Sequence, residues 1–306
     1  MDSRLSICGY YNDSIMKVTV FTPTYNRACH LRTLYDSLCR QTCKDFEWLV
    51  VDDGSADGTK AVIDDIIGRN PSFDVSYVYK ENGGKHTAVN VGVRMAKGEL
   101  FLIVDSDDCL VVDAVETIIC QYETVSGNEE IGGVCGLMAH RNGSLIGTGF
   151  VEDEMICNSI DLRSKYRVRG DLCEVFKTDV LRKYPFPEIN GERFCPEVLV
   201  WNRIAMEYKL KCFKKVVYYR DYLDGGLTSN IVKIRMNSPI ASMMCYSEVS
   251  MLAIPLSLKM KAAINYWRFR FCAASQKELP QVSLWTYFFV PFALLLHLLD
   301  KYKCRG

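Results

Sequence analysis

The stretch Leu100-Phe-Leu-Ile-Val-Asp-Ser-Asp-Asp108 is a wholly apolar strand that runs straight into three carboxylates. A strand with no polar face is buried on both sides, the habit of parallel sheets. The residues before it supply the rest of that sheet. Val18-Thr-Val-Phe21 is a β-branched and aromatic run ended by Thr22-Pro23, Glu47-Trp-Leu-Val-Val51 is a second strand, and Asp74 to Tyr79 alternates as a third. Helical signals separate them. Leu31, Leu34, Tyr35 and Leu38 recur at i, i+3, i+4 and i+7 within Ala28 to Gln41. Thr59 opens a helix carrying Val62, Ile63, Ile66 and Ile67, and Lys85 to Ala96 is a helix that Gly98 stops. Strict alternation of strand and helix predicts an α/β fold, a parallel sheet with helices on both faces.

Ligands of such sheets bind beyond the carboxyl ends of the strands. The unusual polar residues stand there: Thr22 to Arg27, Asp52 to Asp57, Glu81 to Lys85, and Asp105 to Asp108. Four polar loops on one rim describe a site better than any one of them. Beyond Val111 the pattern loosens. A helix is expected over Val112 to Val125, a strand with a Gly-Gly kink over Ile131 to Met138, and short strands mixed with polar loops over 140–195. A helix over Pro196 to Tyr208 and a strand over Lys211 to Tyr219 follow. After Gly225-Gly226 the chain turns helical. The expected division is a catalytic domain over 1–240, with halves at 16–110 and 111–240, and a helical extension over 241–306.

The 306 residues fit one large domain or two intimate ones at roughly 100–200 residues per domain. With 37 basic and 37 acidic side chains the net charge is zero, so the global basic excess of a nucleic-acid binder is absent. The 14 cysteines form no C-x-x-C pair and no Cys/His cluster, which argues against zinc. MDSRLSICGYYNDSI has no apolar signal core, so a cytoplasmic protein with reduced thiols is expected.

The rim residues suggest a chemistry. Clustered carboxylates repel unless a cation or donors compensate, and oxygen-only ligands suit Mg²⁺ or Mn²⁺. Alone, the D-x-D could be an acidic turn capping the next helix; the apolar strand before it favours a metal. Asp53 could accept from a ribose hydroxyl or a base imide, or cap the helix at Thr59, a task Asp57 could equally perform. Gly83-Gly84-Lys85 allows close backbone approach and offers a cation to phosphate. Neither G-x-x-x-x-G-K-[ST] nor G-x-G-x-x-G occurs. His86 could touch metal or phosphate.

Taken in order, TPTYNR (22–27), WLVVDDGSADGT (48–59), ENGGKHTAVNVGVRMAKGE (81–99) and LIVDSDD (102–108) resemble the nucleotide-sugar-binding half of glycosyltransferase family 2, with the GT-A fold. The resemblance implies a GT-A-like, Rossmann-related, mostly parallel sheet and an inverting transferase using a UDP- or other NDP-sugar. It implies Asp53 at the uracil, Thr22 and Tyr25 near the base, Asp105 by the ribose, and Asp107, with Asp105, at a metal bridging the diphosphate. Arg27, Gly84, Lys85, Asn90 and Ser106 complete the expected nucleotide-sugar set. RGDLCEVFKTD (169–179), YPFPEINGERFCPE (184–197) and YLDGGLTSN (222–230) are similar to a bacterial subset of that family.

Inversion is a single displacement at the anomeric carbon and needs a base for the acceptor hydroxyl. Glu197, after Pro196 at a helix start, is the candidate. Asp171 is second, or orients the acceptor, and Glu192 is third, in what reads as a solvated loop. Arg235 could reach the diphosphate when the Gly-Gly loop closes. The donor partner is a nucleotide-sugar and the acceptor a glycan or lipid-linked hydroxyl in surface polysaccharide assembly. A nucleotidyltransferase is the rival enzyme, disfavoured because Thr22–Arg27 is not a Gly-rich basic loop; a non-catalytic sugar-nucleotide-binding module is disfavoured because the D-x-D is intact. Bases and large apolar side chains mix over 249–277 without an acid, and the run from Leu284 to Leu299 carries no acid, lysine or arginine. A helix at the inner face of the cell membrane is the expectation, its length favouring an interfacial position over a spanning one, and the alternative is a helical hairpin packed on the catalytic domain or on a second subunit.

Overall fold

The computed structural model describes residues 16–220, 230–273 and 279–303. The strands β1 (Val18–Thr24), β2 (Phe46–Asp52), β3 (Asp74–Tyr79) and β4 (Leu100–Ile103) are joined by helices α1 (Ala28–Cys39), α2 (Thr59–Gly68) and α3 (Lys85–Met95). All four strands pair in parallel, in the order β3-β2-β1-β4. β1, β2 and β4 are covered on both faces, which explains the wholly apolar run of β4, whereas the edge strand β3 is partly exposed and alternates. Val20 and Leu102 point into one core with Leu34 of α1, Ile63 of α2 and Ile118 of α4 (Ala114–Glu123). Their neighbours Phe21 and Phe101 stack in the other core at 5.0 Å, under Val89 and Val93 of α3.

The second half extends the same sheet. It adds β5 (Cys109–Leu110), β6 (Ile131–Ala139), β7 (Glu154–Cys157), β8 (Leu172–Lys177) and β9 (Lys209–Tyr219), giving the continued order β4-β8-β6-β9-β5, with β7 on β9. β8 enters antiparallel between β4 and β6, so the sheet is parallel through β4 and mixed beyond it. The kink expected in β6 is a register shift between Ile131 and Gly133, where a Cβ on Gly133 would stand 2.0 Å from the Val175 carbonyl oxygen. Helices α5 (Ser159–Ser164), α6 (Thr178–Lys183) and α7 (Glu197–Ala205) flank this half. The described cysteines form no disulfide.

The C-terminal part consists of α8 (Ile231–Asn237), α9 (Pro239–Met251), α10 (Leu256–Arg270), a 3₁₀ segment over Leu284–Phe289 and α11 (Val290–Lys303). Position 240 falls inside α9. Ala241 and Cys245 of that helix belong to the catalytic core, whereas Ile240 and Met243 pack on Tyr266 and Phe269 of α10. Glu192 receives the backbone N–H groups of Ile240 at 2.6 Å and Ala241 at 2.8 Å, so it caps α9. Its expected place in a solvated loop is thereby corrected: the carboxylate is committed to a helix N-terminus, where both free N–H groups and the dipole favour it. Gly225-Gly226, most of the 222–230 motif, Lys277 and Arg305 lie outside the described residues.

Candidate active site

Backbone hydrogen bonds lace the four rim loops together. Asp53 N–H donates to Thr24 O (2.8 Å), Lys80 N–H to Asp52 O (2.9 Å) and Val104 N–H to Phe21 O (2.8 Å). Side chains finish the frame. Asp57 accepts from Ala28 N–H (3.1 Å) and Thr59 N–H (3.0 Å), tying the starts of α1 and α2 together. The cap of α2 therefore needs nothing from Asp53.

Asp53 is buried at 4% exposure, and its two oxygens take Lys80 Nζ (2.7 Å), Gly83 N–H (2.9 Å), Gly84 N–H (2.7 Å) and Asn82 Nδ2 (3.3 Å). It organises the 81–85 turn. Gly84 sits at φ +96°, and a Cβ there would lie 2.0 Å from the Arg193 carbonyl oxygen, so only glycine fits. Thr22 is fully buried, with its hydroxyl accepting from Trp48 Nε1 at 3.0 Å. It supports the rim from beneath; Tyr25, half exposed, stands on it.

Asn90 departs from expectation. Its amide donates to Phe186 O (2.9 Å) and Glu188 Oε1 (2.8 Å) and accepts from Phe186 N–H (2.8 Å). Buried at 6% exposure, it clamps the 186–188 segment to α3 with both amide hydrogens and its oxygen engaged there. Arg235 is held too. It donates to Tyr246 Oη at 2.9 Å and its guanidinium lies 5.7 Å from the Phe194 ring centroid and 5.3 Å from that of Tyr246. His86 is buried with Nδ1 unpartnered, and burial holds its pKa below the usual histidine value.

Asp105, Ser106, Asp107 and Asp108 close the end of β4. Lys85 Nζ lies 2.6 Å from Asp105 Oδ1 and 2.8 Å from Glu197 Oε1. Burial works against the Lys85 charge, but Asp105 and Glu197 outweigh it and raise the ammonium above its ordinary range. Burial likewise opposes charge on Asp105, and Lys85, Arg220 and Arg27 overcome it, holding the carboxyl low. Asp108 differs. It is buried beside Asp105, and these effects push it up to about 7 although Tyr218 Oη donates to it at 2.7 Å. Ser106 is buried at 5% exposure.

Asp107 is the open carboxylate of the set, with Arg27 Nη1 at 3.7 Å. Among the described residues no group of three or more His, Cys, Asp or Glu could hold a metal ion by itself. Mg²⁺ and Mn²⁺ do not need one: one or two carboxylates plus phosphate oxygens and water suffice. Asp107 and Asp105 are the carboxylates that would hold such an ion, with Lys85 and Arg27 their partners in its absence.

Behind this rim lies a cavity of about 230 Å³ between the end of β4, β8, α5 and α7. Asp105, Lys85 and Glu197 line it together with Asp171, Glu174 and Arg220. Arg220 Nη1 donates to Asp171 Oδ2 at 3.1 Å, and its guanidinium also approaches Asp105 and Asp108 at 4.0 and 3.9 Å. Burial pushes the Glu174 carboxyl up to about 7; Arg163 opposes this, and Glu197 and Asp171 add to it. Sequence reasoning missed Arg220, Tyr218 and Glu174. Arg220 ends a strand as Asp105 follows one, so the rule that exposed the first rim would have found it.

Residues 19–128 match the family model "Glycosyl transferase family 2". The "Chondroitin synthase" of Pasteurella multocida (strain Pm70) is 37% identical over 137 residues, 44% of this chain and 14% of that one, so the chain spans a small part of that relative. The "GalNAc(5)-diNAcBac-PP-undecaprenol beta-1,3-glucosyltransferase" of Campylobacter jejuni is 28% identical over 218 residues, 69% of this chain and 67% of that one. Two solved structures at 20% identity share the fold. S. aureus TarS 1-349 in complex with UDP-GlcNAc has a TM-score of 0.59 over 91% of this chain and 80% of that one. Mannosyltransferase PcManGT from Pyrobaculum calidifontis, in complex with GDP-Man and Mn²⁺, has 0.58 over 94% and 82%. Residues 19–128 thus carry a glycosyl transferase family 2 domain, and the chain adopts the GT-A fold that its first hundred residues led us to expect.

Proposed function

We propose that the chain is an inverting glycosyltransferase that moves a sugar from a UDP-sugar to a hydroxyl of a glycan or lipid-linked acceptor, at the inner face of the cell membrane, in surface polysaccharide assembly. The observation that carries the reading is the ion pair of Lys85 with both Asp105 and Glu197, which sets a carboxylate of the second half directly against the donor rim. The UDP-GlcNAc bound by TarS and the undecaprenol diphosphate in the Campylobacter enzyme's name support the donor and acceptor classes.

In this reading the nucleotide lies over the loops after β1, β2 and β3, with Tyr25 and the Asp53-organised turn beneath it. The diphosphate meets Arg27 and Lys85. Lys85 turns from Glu197 toward phosphate, freeing that carboxylate. Glu197 takes the proton of the acceptor hydroxyl as its oxygen bonds to the anomeric carbon and the bond from that carbon to the β-phosphate oxygen breaks. Asp171, anchored by Arg220, orients the acceptor. A divalent ion at Asp107 and Asp105 would supply charge stabilisation to the leaving diphosphate.

A donor panel with Mn²⁺ or Mg²⁺, read as UDP, GDP or dTDP release, tests the class. UDP release that rises with acceptor, and a product of inverted anomeric configuration by NMR, are expected. Retained configuration, or no release from any donor, would overturn the proposal.

A further inference from the structure

Helix α11 is built inside out. In a surface helix the apolar stripe faces the core and the polar face meets water. Here the residues turned inward are Ala293, His297 and Asp300, at spacings of four and three. Asp300 takes two hydrogen bonds from Arg268 of α10, at 2.5 and 2.7 Å, and His297 Nδ1 lies 3.6 Å from Cys272 Sγ. The outer face carries the large apolar side chains: Leu295 is 59% exposed, Leu298 55%, Leu299 48% and Phe292 56%. The 3₁₀ segment before it extends the same surface, with Leu284 at 86% and Phe288 at 74%. A continuous exposed patch of this kind marks an interaction surface.

Charge selects its occupant. The whole chain is neutral, but from Val249 to Lys303 the acids are Glu278 and Asp300, against Lys259, Lys261, Arg268, Arg270, Lys277, Lys301 and Lys303. Asp300 is neutralised by Arg268. A second copy docked through this face would bring two lysine-rich rims together. An anionic bilayer surface would accept the leucines in its outer hydrocarbon and the lysines at its headgroups. We propose that the outer face of Leu284–Lys303 seats the protein on an anionic membrane surface, with Phe288, Phe292, Leu295 and Leu299 inserted and Lys301 and Lys303 at headgroup level.

The segment lies in the surface and does not cross it. Length alone no longer decides this, because helix runs through Leu284–Lys303, with a mean hydropathy of 1.2, long and apolar enough by composition to span. The polar contacts decide. Trp267 Nε1 donates to Thr286 Oγ1 at 3.2 Å and the Trp267 and Tyr287 rings lie 4.5 Å apart, so α10 holds this segment along its length. Crossing the bilayer would strip Asp300 from Arg268 and part Thr286 and Tyr287 from Trp267. This inference specifies the membrane-face part of the proposed function and is independent of the transfer chemistry.

The test is sedimentation of the full chain with phosphatidylcholine vesicles, with and without phosphatidylglycerol, at low and high salt, with donor hydrolysis measured on the same samples. Wild type should sediment with phosphatidylglycerol vesicles, less at high salt, with a blue shift of tryptophan emission. The double variant Leu295→Glu/Leu299→Glu should lower the partition coefficient by roughly tenfold or more. Lys301→Glu/Lys303→Glu, which leaves the apolar face intact, should remove the dependence on phosphatidylglycerol. Both variants should keep donor hydrolysis, so a failed transferase reading and a failed membrane reading give different results. Wild type that ignores both vesicles, or variants that bind as wild type does, overturn the proposal. A dimer by light scattering that Leu295→Glu/Leu299→Glu splits, without vesicle binding, assigns the face to a second copy. Resistance of the membrane-bound chain to alkaline carbonate extraction assigns it to a spanning helix.

Discussion

Lys85 Nζ lies 2.8 Å from Glu197 Oε1, an ion pair that joins the N-termini of α3 and α7 beside the cavity. A general base cannot act while an ammonium holds it, so the pair makes a lock of the resting site. Donor diphosphate, a stronger partner for the ammonium, is what would open it. Lys85→Met should lower kcat/KM by roughly a hundredfold or more through the lost phosphate contact. Lys85→Arg should recover part of it. Steady-state kinetics against UDP-sugar concentration checks both, and an unchanged donor KM in Lys85→Met removes the lysine from the diphosphate.

Glu197→Gln keeps the shape of the site and removes the base. Turnover should fall roughly 10²–10⁴-fold, the usual contribution of general base catalysis, with UDP-sugar affinity unchanged by calorimetry. Normal turnover on the true acceptor would transfer the role to Asp171, another carboxylate lining the cavity.

Asp107→Asn tests the ion. Activity should drop by roughly a hundredfold or more with the fold intact by circular dichroism. EDTA should abolish turnover in wild type, and Mn²⁺ or Mg²⁺ should restore it. Full activity in chelator would show that Lys85, Arg27 and Arg220 carry the leaving-group charge alone.

The Asn90 clamp separates stability from binding. Asn90→Ala deletes three hydrogen bonds to residues 186–188, two of them buried, and leaves Phe186 N–H unpaired. A loss of about 2–3 kcal/mol by urea denaturation is expected, with donor KM little changed. A large rise in KM and no loss of stability would restore Asn90 to the nucleotide-sugar set.

The limits of the sequence reading have physical causes. The first four strands were legible because burial on both faces leaves runs such as Leu100–Val104 with no competing interpretation. β8 was not, since its place between β4 and β6 depends on a return of the chain that no local pattern encodes. The carboxylates after β4 could be singled out as candidates because clustered carboxylates behind an apolar strand are costly unless something compensates them. Asn90 and Glu192 misled for the opposite reason: each polar group is satisfied by backbone far away in sequence, Phe186 and Ile240 respectively. The apolar content of α11 was plain, but its inverted facing needed Arg268 and Asp300 brought together.

Glu174 provides the pH test. Burial raises its carboxyl from an ordinary 4.5 to about 7. In that interval the folded protein keeps a proton that the unfolded chain has released, so stability falls as pH rises. The contribution is fully present below the unfolded value and lost by the time pH passes through about 7. Glu174→Gln abolishes the titration. Near pH 5 the variant and wild type should be of similar stability. Near pH 8 the variant should be the more stable by on the order of 1–3 kcal/mol, because the glutamine carries no buried charge. Denaturant titrations at the two pH values measure the difference directly. A gap that does not widen with pH would mean that the Glu174 carboxylate is paired when charged, with Arg163 as the group nearest to do it.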